Sequence, residues 1–468
     1  MLFNSPVFLF AFLPLSIWLF WRAIKVRSRI QILVVMSLIF YGWWDPAYLL
    51  LIGASIAINY WVGHKVATSR TWIVAGIAFN LGLLAIFKYA DFAIGSFNAV
   101  TGSSFPMMQL ALPLAISFFT FQQIAYLVEC RRGQAPERDP LIYALFVLFF
   151  PQLIAGPIVQ YREVGPQFRV LGVPIRADLF AQGVFLLTLG LFKKVAISDQ
   201  LAKWVDPAFA SPGDLHFYDA WVAVLSYTLQ LYFDFSAYSE MAMGLAMMFG
   251  IVLPLNFNAP YKAGNIAEFW RRWHITLGRF MRDYVYVPLG GNRNGYARQL
   301  AALMITMVLG GLWHGAAWTF VAWGALHGIY LVLHRVWTLT GMRLPNALGV
   351  GTTFLAVVWS WVLFRAQSLQ DAMLIWKAML GQSGMEWPRA LAPILGPGVE
   401  YRYSPYYEGY ELIPIVLLLL AVWRAPTVHE IWQRHVRSSP RWAVAVASVG
   451  LVAFFHLSTP QEFAYFQF

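Results

Sequence analysis

A succession of apolar runs, each about as long as a membrane-spanning helix, constrains the fold of this chain most. A spanning helix needs roughly 20 consecutive, mostly apolar residues. Charged residues make up 12% of the 468 residues, against about a quarter in soluble domains, so lipid must solvate much of the surface. The sequence predicts an all-α membrane protein, a polytopic helical bundle with about twelve spans. The predicted spans are 5–21, 30–44, 47–63, 72–88, 108–128, 178–197, 217–234, 299–313, 318–334, 347–364, 411–424 and 442–458.

Two apolar segments do not fit the pattern of a simple span. The run 141–159 contains Pro151, Gly156 and Pro157, residues that interrupt a helix, which favours a re-entrant segment. The stretch 236–250 is rich in small residues and is predicted to form a half-helix. We find no convincing internal repeat and no domain boundary, so residues 1–468 are interpreted as a single membrane domain.

The charged residues between the runs predict how the chain is oriented. Lys and Arg concentrate in cytoplasmic loops, and the loop between the first two spans is basic, which places the N-terminus outside. The segment 262–298 is basic and therefore inside, whereas 198–216 is acidic and outside. An even number of spans places the C-terminus outside too, with 365–410 as the largest extracytoplasmic loop. The net charge of +11 is explained by these cytoplasmic loops, so no nucleic-acid partner is expected.

The segment 256–298 combines aromatic and basic residues. Its apolar positions recur at helical spacing, which predicts an amphipathic or re-entrant helix at the lipid headgroups. An arginine-rich groove under the membrane could also bind a phosphate-bearing donor. The candidate donor-binding residues are Arg271, Arg272, Arg279, Arg282, Trp270 and Trp273.

A histidine in an apolar stretch is the strongest candidate for chemistry. His314 is flanked by Gly310, Gly311 and Gly315, and a histidine at membrane depth is costly unless it faces the protein interior or a water-filled path. Neutral imidazole suits a general base because its unperturbed pKa is about 6.5. A structural, hydrogen-bonded histidine is the competing interpretation. His327, one helix further on, is a weaker candidate, and no compact ligand spacing supports a metal.

Asp234 lies near a predicted span, in the run Tyr232-Phe-Asp-Phe-Ser-Ala-Tyr-Ser-Glu. Intramembrane acids are functional candidates by default. An equally good interpretation is an ion pair with an Arg or Lys of the cytoplasmic segment.

Several motifs together give a resemblance to a known family. The motifs are Met1-Leu-Phe-Asn-Ser-Pro-Val-Phe-Leu-Phe, Phe118-Phe-Thr-Phe-Gln-Gln, Gln152-Leu-Ile-Ala-Gly-Pro-Ile-Val, Phe233-Asp-Phe-Ser-Ala-Tyr-Ser, Phe269-Trp-Arg-Arg-Trp-His-Ile-Thr-Leu, Trp313-His-Gly and Tyr465-Phe-Gln-Phe. With them the sequence resembles the membrane-bound O-acyltransferases (MBOAT), specifically their alginate O-acetyltransferase branch, over essentially the whole chain. Gln160 departs from the arginine expected after Gly-Pro-Ile-Val.

The resemblance implies the MBOAT fold and an acetyltransferase of the bacterial cytoplasmic (inner) membrane. His314 matches the family's catalytic histidine, and His274 matches its second polar position. Acetyl-CoA would be the donor substrate, with no bound cofactor, and an acceptor hydroxyl would enter from outside. A polysaccharide such as alginate would be acetylated with the help of an extracytoplasmic partner protein. Peptidoglycan, cellulose or another surface glycan is an alternative acceptor, and a transporter or flippase is the alternative from another class.

Tyr465 suggests one further hypothesis. It follows the last predicted span closely, in a tail that is predicted to lie outside. Its phenol could take the acetyl group and pass it to the partner enzyme. An aromatic anchor at the membrane interface is an equally good interpretation.

Overall fold

A computed structural model of the chain describes residues 1–171, 177–293, 295–428, 430–431, 439–457 and 463. Almost all regular structure in these residues is helical, as the sequence predicts. The one exception among them is a parallel pairing of two short strands, Trp387–Pro388 with Tyr401–Arg402. The chain packs as two compact units, and the prediction of a single domain over 1–468 stays a prediction. The first unit comprises 1–191, 238–255 and 436–460, and the second comprises 192–237, 256–435 and 461–468.

The first unit consists of helices around an aromatic core. One helix, Phe217–Met248, has its N-terminal part in the second unit and its C-terminal part in the first. The other helices are Leu13–Arg22 after a π-helical turn at Phe8–Phe12, Val26–Gly42, Tyr48–Lys65, Arg70–Leu84, the π-helical Ala85–Tyr89, Ala90–Thr101, Ile116–Arg131, Pro140–Leu148, Phe150–Leu153, Tyr161–Phe168, Ala177–Phe192 and Pro440–Phe455.

The second unit contains the candidate residues. Its buried core includes Tyr261, Phe269, Trp273, Trp323 and Trp361. Its helices are the π-helical Lys193–Ser198, Asp199–Ala210, the short Pro212–Asp214 and Pro260–Lys262, Ile266–Arg272, Ile275–Met281, the π-helical Arg282–Tyr286, Tyr296–His314, Trp318–Trp337, the short Thr338–Thr340, Asn346–Arg365, Leu369–Met379, the short Arg389–Leu391, Ala392–Leu395 and Leu412–Arg424.

The number of spanning helices differs from the prediction. Within the described residues, three helical stretches are long and apolar enough to cross a membrane: Arg70–Thr101, Ala177–Ala210 and Asn346–Arg365. Three shorter apolar helices cover Phe8–Arg22, Leu412–Arg424 and Pro440–Phe455. The count of about twelve spans is therefore not confirmed.

The small-residue stretch 236–250 is not a half-helix, and that prediction is wrong. It continues the 32-residue helix Phe217–Met248 without a break. Its small residues serve close packing: a Cβ on Gly244 would lie 2.5 Å from the carbonyl oxygen of Gly183. Small side chains allow two helices to approach at such a point.

Three other predicted segments differ from a continuous helix or a plain loop. The run 108–128 is helical only from Ile116, because Ala115 adopts a left-handed conformation with φ 60°. The run 141–159 is broken as predicted, into Pro140–Leu148 and Phe150–Leu153 followed by non-helical residues. The predicted loop 365–410 contains regular structure, namely the helix Leu369–Met379 and both strands.

Candidate active site

His314 is the last residue of the helix Tyr296–His314, which packs closely on the helix Trp318–Trp337. The close approach depends on glycine. A Cβ on Gly311 would lie 2.2 Å from the carbonyl oxygen of Phe320, and one on Gly324 would lie 2.4 Å from that of Met307. The glycine-flanked segment around His314 therefore forms a tight helical hairpin, with His314 at the turn.

The imidazole of His314 is buried among aromatic rings, with 5% of the residue exposed. Its ring centroid lies 5.3 Å from that of Trp323 and 5.2 Å from that of Phe364. These rings belong to two different helices, so three elements fix the position of His314. The site is apolar and excludes bulk water, conditions under which electrostatic interactions strengthen.

His274 lies close to His314, with 6.4 Å between the ring centroids. It occupies a break between the helices Ile266–Arg272 and Ile275–Met281, with φ 42° and ψ 54°. A non-glycine residue rarely adopts this left-handed conformation, and it persists where the surroundings enforce it. The aromatic ring of Phe235 packs edge-on against His274 at 4.8 Å.

Asn256 accepts the hydrogen bonds that hold His274 in this conformation. Its side-chain oxygen accepts hydrogen bonds from His274 Nδ1 at 3.0 Å and from the Thr276 hydroxyl at 2.8 Å. Its backbone oxygen accepts from the Ile275 N–H at 2.9 Å. Because an amide oxygen only accepts, Nδ1 carries the proton and Nε2 keeps its lone pair.

The imidazole of His274 is neutral. The residue is fully buried, and burial lowers the pKa of His274 from 6.5 to about 3, because an apolar environment disfavours the charged form. Among the described residues, Nε2 has no hydrogen-bond partner. A buried lone pair of this kind is an available proton or hydrogen-bond acceptor beside His314.

His327 is buried one helix away from this pair. Its Nε2 lies 2.8 Å from the Ser360 hydroxyl, which itself donates to the Val357 carbonyl. The ring of Trp323 lies between His314 and His327, 4.8 Å from the latter. This geometry fits the structural interpretation of His327, as a residue that supports Trp323.

Asp234 is paired, although its partner is not in the cytoplasmic segment as the sequence suggested. Its carboxylate lies 2.9 Å from Lys194 Nζ, and the same ammonium lies 2.7 Å from Asp199. All three residues are buried. The lysine is near the end of a predicted span, so two lysines in an apolar run were the signal that could have identified this cluster.

The chain is similar to a known protein family and to several known proteins. Residues 137–370 match the model of the membrane-bound O-acyltransferase family. The chain is 42% identical to a peptidoglycan O-acetyltransferase of Helicobacter pylori, over 82% of this chain and 81% of that protein. It is 41% identical to a probable alginate O-acetylase of Pseudomonas aeruginosa, over 81% of this chain and 75% of that protein. A teichoic acid D-alanyltransferase of Streptococcus thermophilus is 28% identical over 54% of this chain and 68% of its own length.

The chain belongs to the membrane-bound O-acyltransferase family. It is therefore an O-acyltransferase and an integral membrane protein. The matched region contains the two buried histidines described above, together with Asn256 and Trp323.

The arginine-rich segment of this MBOAT protein is not one amphipathic helix, and that prediction is wrong. The chain turns sharply at Trp273 and His274, where the side chain of Asn256 accepts a hydrogen bond from the buried His274. Trp273 is 2% exposed and packs on Trp361 in the core, not at a headgroup surface. Trp270 is half-buried against Trp323 and His327.

The four arginines do not share one environment. Arg272 pairs with Glu268 at 2.7 Å, one helical turn earlier, and Arg282 pairs with the adjacent Asp283 at 2.7 Å. Arg271 is exposed, and Arg279 is half-buried. Arg282 is exposed too, so Arg271 and Arg282 have the accessibility that a phosphate-bearing ligand requires.

Tyr465 lies outside the described residues. Among those that the structure describes, no group of three or more His, Cys, Asp or Glu side chains could hold a metal ion. Sequence reasoning missed Asn256, Ser360 and Lys194, since each acts on a partner more than 15 positions away.

Proposed function

We propose that this MBOAT protein moves an acetyl group from cytoplasmic acetyl-CoA across the membrane for O-acetylation of an exported polysaccharide. One observation carries the proposal: two buried imidazoles lie 6.4 Å apart in a water-excluding site, in a chain about as similar to an alginate O-acetylase as to a peptidoglycan O-acetyltransferase. Family membership favours an enzyme over a transporter or flippase.

In the proposed reaction, His314 is the general base. It takes the proton of an acceptor hydroxyl while the oxygen attacks the thioester carbonyl. The tetrahedral intermediate then collapses, the carbon–sulfur bond breaks, and the coenzyme A sulfur leaves with the proton from the imidazolium. Bringing donor and acceptor together is the main contribution of the protein.

His274 would orient a reactant. In its neutral form, Nε2 accepts a hydrogen bond, and Nδ1 is already committed to Asn256. Polarising the donor carbonyl would require a proton on Nε2, so we favour orientation. An N–H or O–H of either substrate could be held at this nitrogen.

The donor is proposed to bind on the cytoplasmic side, where Arg271 is exposed and could contact its phosphates. The acceptor is proposed to enter from the opposite side, with both termini extracytoplasmic in a bacterial inner membrane. A partner protein outside would complete transfer to the glycan, and Tyr465 is proposed as the residue that carries the acetyl group to it.

The acceptor glycan is proposed to be alginate-like, with peptidoglycan as the second candidate. The two relatives differ by one percentage point in identity, 41% against 42%, so similarity alone does not choose between them.

Reconstituted protein and labelled acetyl-CoA test the proposal. We expect transfer or slow hydrolysis of the acetyl group in the wild type, and a loss of at least about a hundredfold in His314→Ala, the usual effect of removing a general base. His327→Gln is the control, since its position is structural. Unchanged turnover in a folded His314→Ala protein would refute His314 as the base. Supplying oligomers of alginate or peptidoglycan with the partner protein would then identify the glycan.

A further inference from the structure

A buried ion cluster in the second unit has no part in the proposed chemistry. Lys194 Nζ lies 2.7 Å from Asp199 and 2.9 Å from Asp234, and its side chain is 2% exposed. Ser198 adds a hydroxyl at 3.3 Å from Asp234. Charged groups inside a membrane protein are costly to bury and often mark a functional site.

Phe463, near the end of the sequence, contacts this cluster. The ammonium of Lys194 lies 4.4 Å from the centroid of the Phe463 ring, within the distance of a cation–π interaction. Phe463 is 1% exposed. Phe463 belongs to the same packing unit as Lys194, the unit that contains both histidines.

The cluster is also adjacent to the candidate active site. Asp234 is followed directly by Phe235, whose ring lies 4.8 Å from that of His274. Phe463 precedes Tyr465 by two residues, and two extended residues reach roughly 7 Å. Phe463 is thus the described residue nearest in sequence to Tyr465.

We propose that Lys194, fixed by Asp199 and Asp234, is a seat that binds the C-terminal segment through the face of Phe463. The two carboxylates hold a flexible lysine in one geometry, and the aromatic ring covers the ammonium. Lys194 is thus a positioning residue for the segment that carries Tyr465. The binding itself is independent of the proposed function, and only its consequence for acetyl transfer rests on that function.

Carboxypeptidase trimming of the full-length protein in nanodiscs, followed by mass spectrometry, tests the seat. In the wild type we expect trimming to stop close to Phe463. Phe463→Leu keeps an apolar side chain and leaves the ion cluster intact but removes the aromatic face, so trimming past position 463 should be roughly tenfold faster. Phe463→Tyr retains an aromatic face and should behave as the wild type does.

Lysine variants provide a matched pair. Lys194→Met should release the segment as Phe463→Leu does. Lys203→Met is the control, because Lys203 is exposed and its ammonium donates to the side chain of Gln200, and it should leave trimming within about twofold of the wild type. Since Lys194→Met leaves two buried carboxylates and could fold poorly, the result for Phe463→Leu decides.

Equal trimming rates in the wild type and Phe463→Leu overturn the seat. Acetyl transfer, measured on untrimmed portions of the same preparations, separates the two proposals. If trimming changes as expected but no variant, including the wild type, transfers acetyl groups, the proposed function fails and the seat stands. If transfer in Phe463→Leu equals that of the wild type and trimming is unchanged, the seat fails and the function stands.

Discussion

At the residue scale, the environment of His274 depends on one amide oxygen. Asn256 accepts from His274 Nδ1 and from Thr276, both inside the protein. The tautomer of His274, and so the lone pair beside His314, follows from this acceptor. The sequence identified His274 only through resemblance, because nothing local indicates that a residue 18 positions earlier orients it.

Replacing Asn256 by alanine should therefore weaken both folding and catalysis. The change leaves buried donors without an acceptor, which costs roughly 1–3 kcal/mol of unfolding free energy. It also removes the acceptor that keeps the proton on Nδ1 of His274. Acetyl transfer per folded molecule should therefore fall as well. Thermal unfolding and transfer per folded molecule measure the two effects. Asn258→Ala is the control, since Asn258 contributes a backbone oxygen to Arg272; equal activity in both variants would contradict a positioning role for Asn256.

The buried neutral His274 also predicts a dependence of stability on pH. Its pKa falls to about 3 in the folded protein, below the value of roughly 6.5 in the unfolded chain. As the pH drops below 6.5, the unfolded chain takes up the proton first, so the free energy of unfolding decreases. The slope is at most about 1.4 kcal/mol per pH unit.

Unfolding in detergent at pH 7 and pH 5 measures this contribution. His274→Gln removes the titrating group and should lose less stability than the wild type over that interval. His456→Gln, at an exposed position, is measured alongside as the control. An identical slope in His274→Gln would mean that His274 is already protonated or accessible in the folded state.

At the element scale, the hairpin that holds His314 depends on two glycines facing backbone oxygens. The glycines beside His314 were the local signal in the sequence, because small residues let neighbouring helices approach closely. The break at Trp273–His274 could not be identified in the same way. The spacing of Trp270, Trp273, Leu277 and Phe280 fits one helix, and only contacts with distant residues overrule that local pattern.

Gly311→Ala should separate the two helices of this hairpin. The added Cβ would lie 2.2 Å from the Phe320 carbonyl oxygen, a contact that rigid backbone cannot accommodate without a shift. Overpacking of this kind costs about 1–3 kcal/mol or more, and displacing His314 should reduce acetyl transfer. The adjacent Gly310→Ala is a closely matched control, because its Cβ would meet nothing within 4 Å. Similar melting temperatures for the two variants would refute the close approach.

At the scale of the whole molecule, composition was sufficient to predict a helical membrane protein, and motifs were sufficient to indicate the family. The number of spans could not be predicted from apolar runs alone. Helix Phe217–Met248 carries Asp219 and Asp234 yet is continuous for 32 residues, whereas the run 108–128 is helical only in part. Asp234 is accommodated inside this helix because Lys194 pairs with it. The length of a helix therefore cannot be predicted from hydropathy alone.

The predicted orientation in the membrane is testable with single cysteines, because the one native cysteine, Cys130, is buried. Ile394 is exposed within the loop predicted to lie outside, and Arg293 is exposed within the segment predicted to lie inside. A membrane-impermeant maleimide should label Ile394→Cys in spheroplasts and should label Arg293→Cys only after the membrane is opened. The wild type should remain unlabelled in both conditions. Labelling of Arg293→Cys in sealed spheroplasts would invert the topology, and the donor would then have to reach the site from the other side.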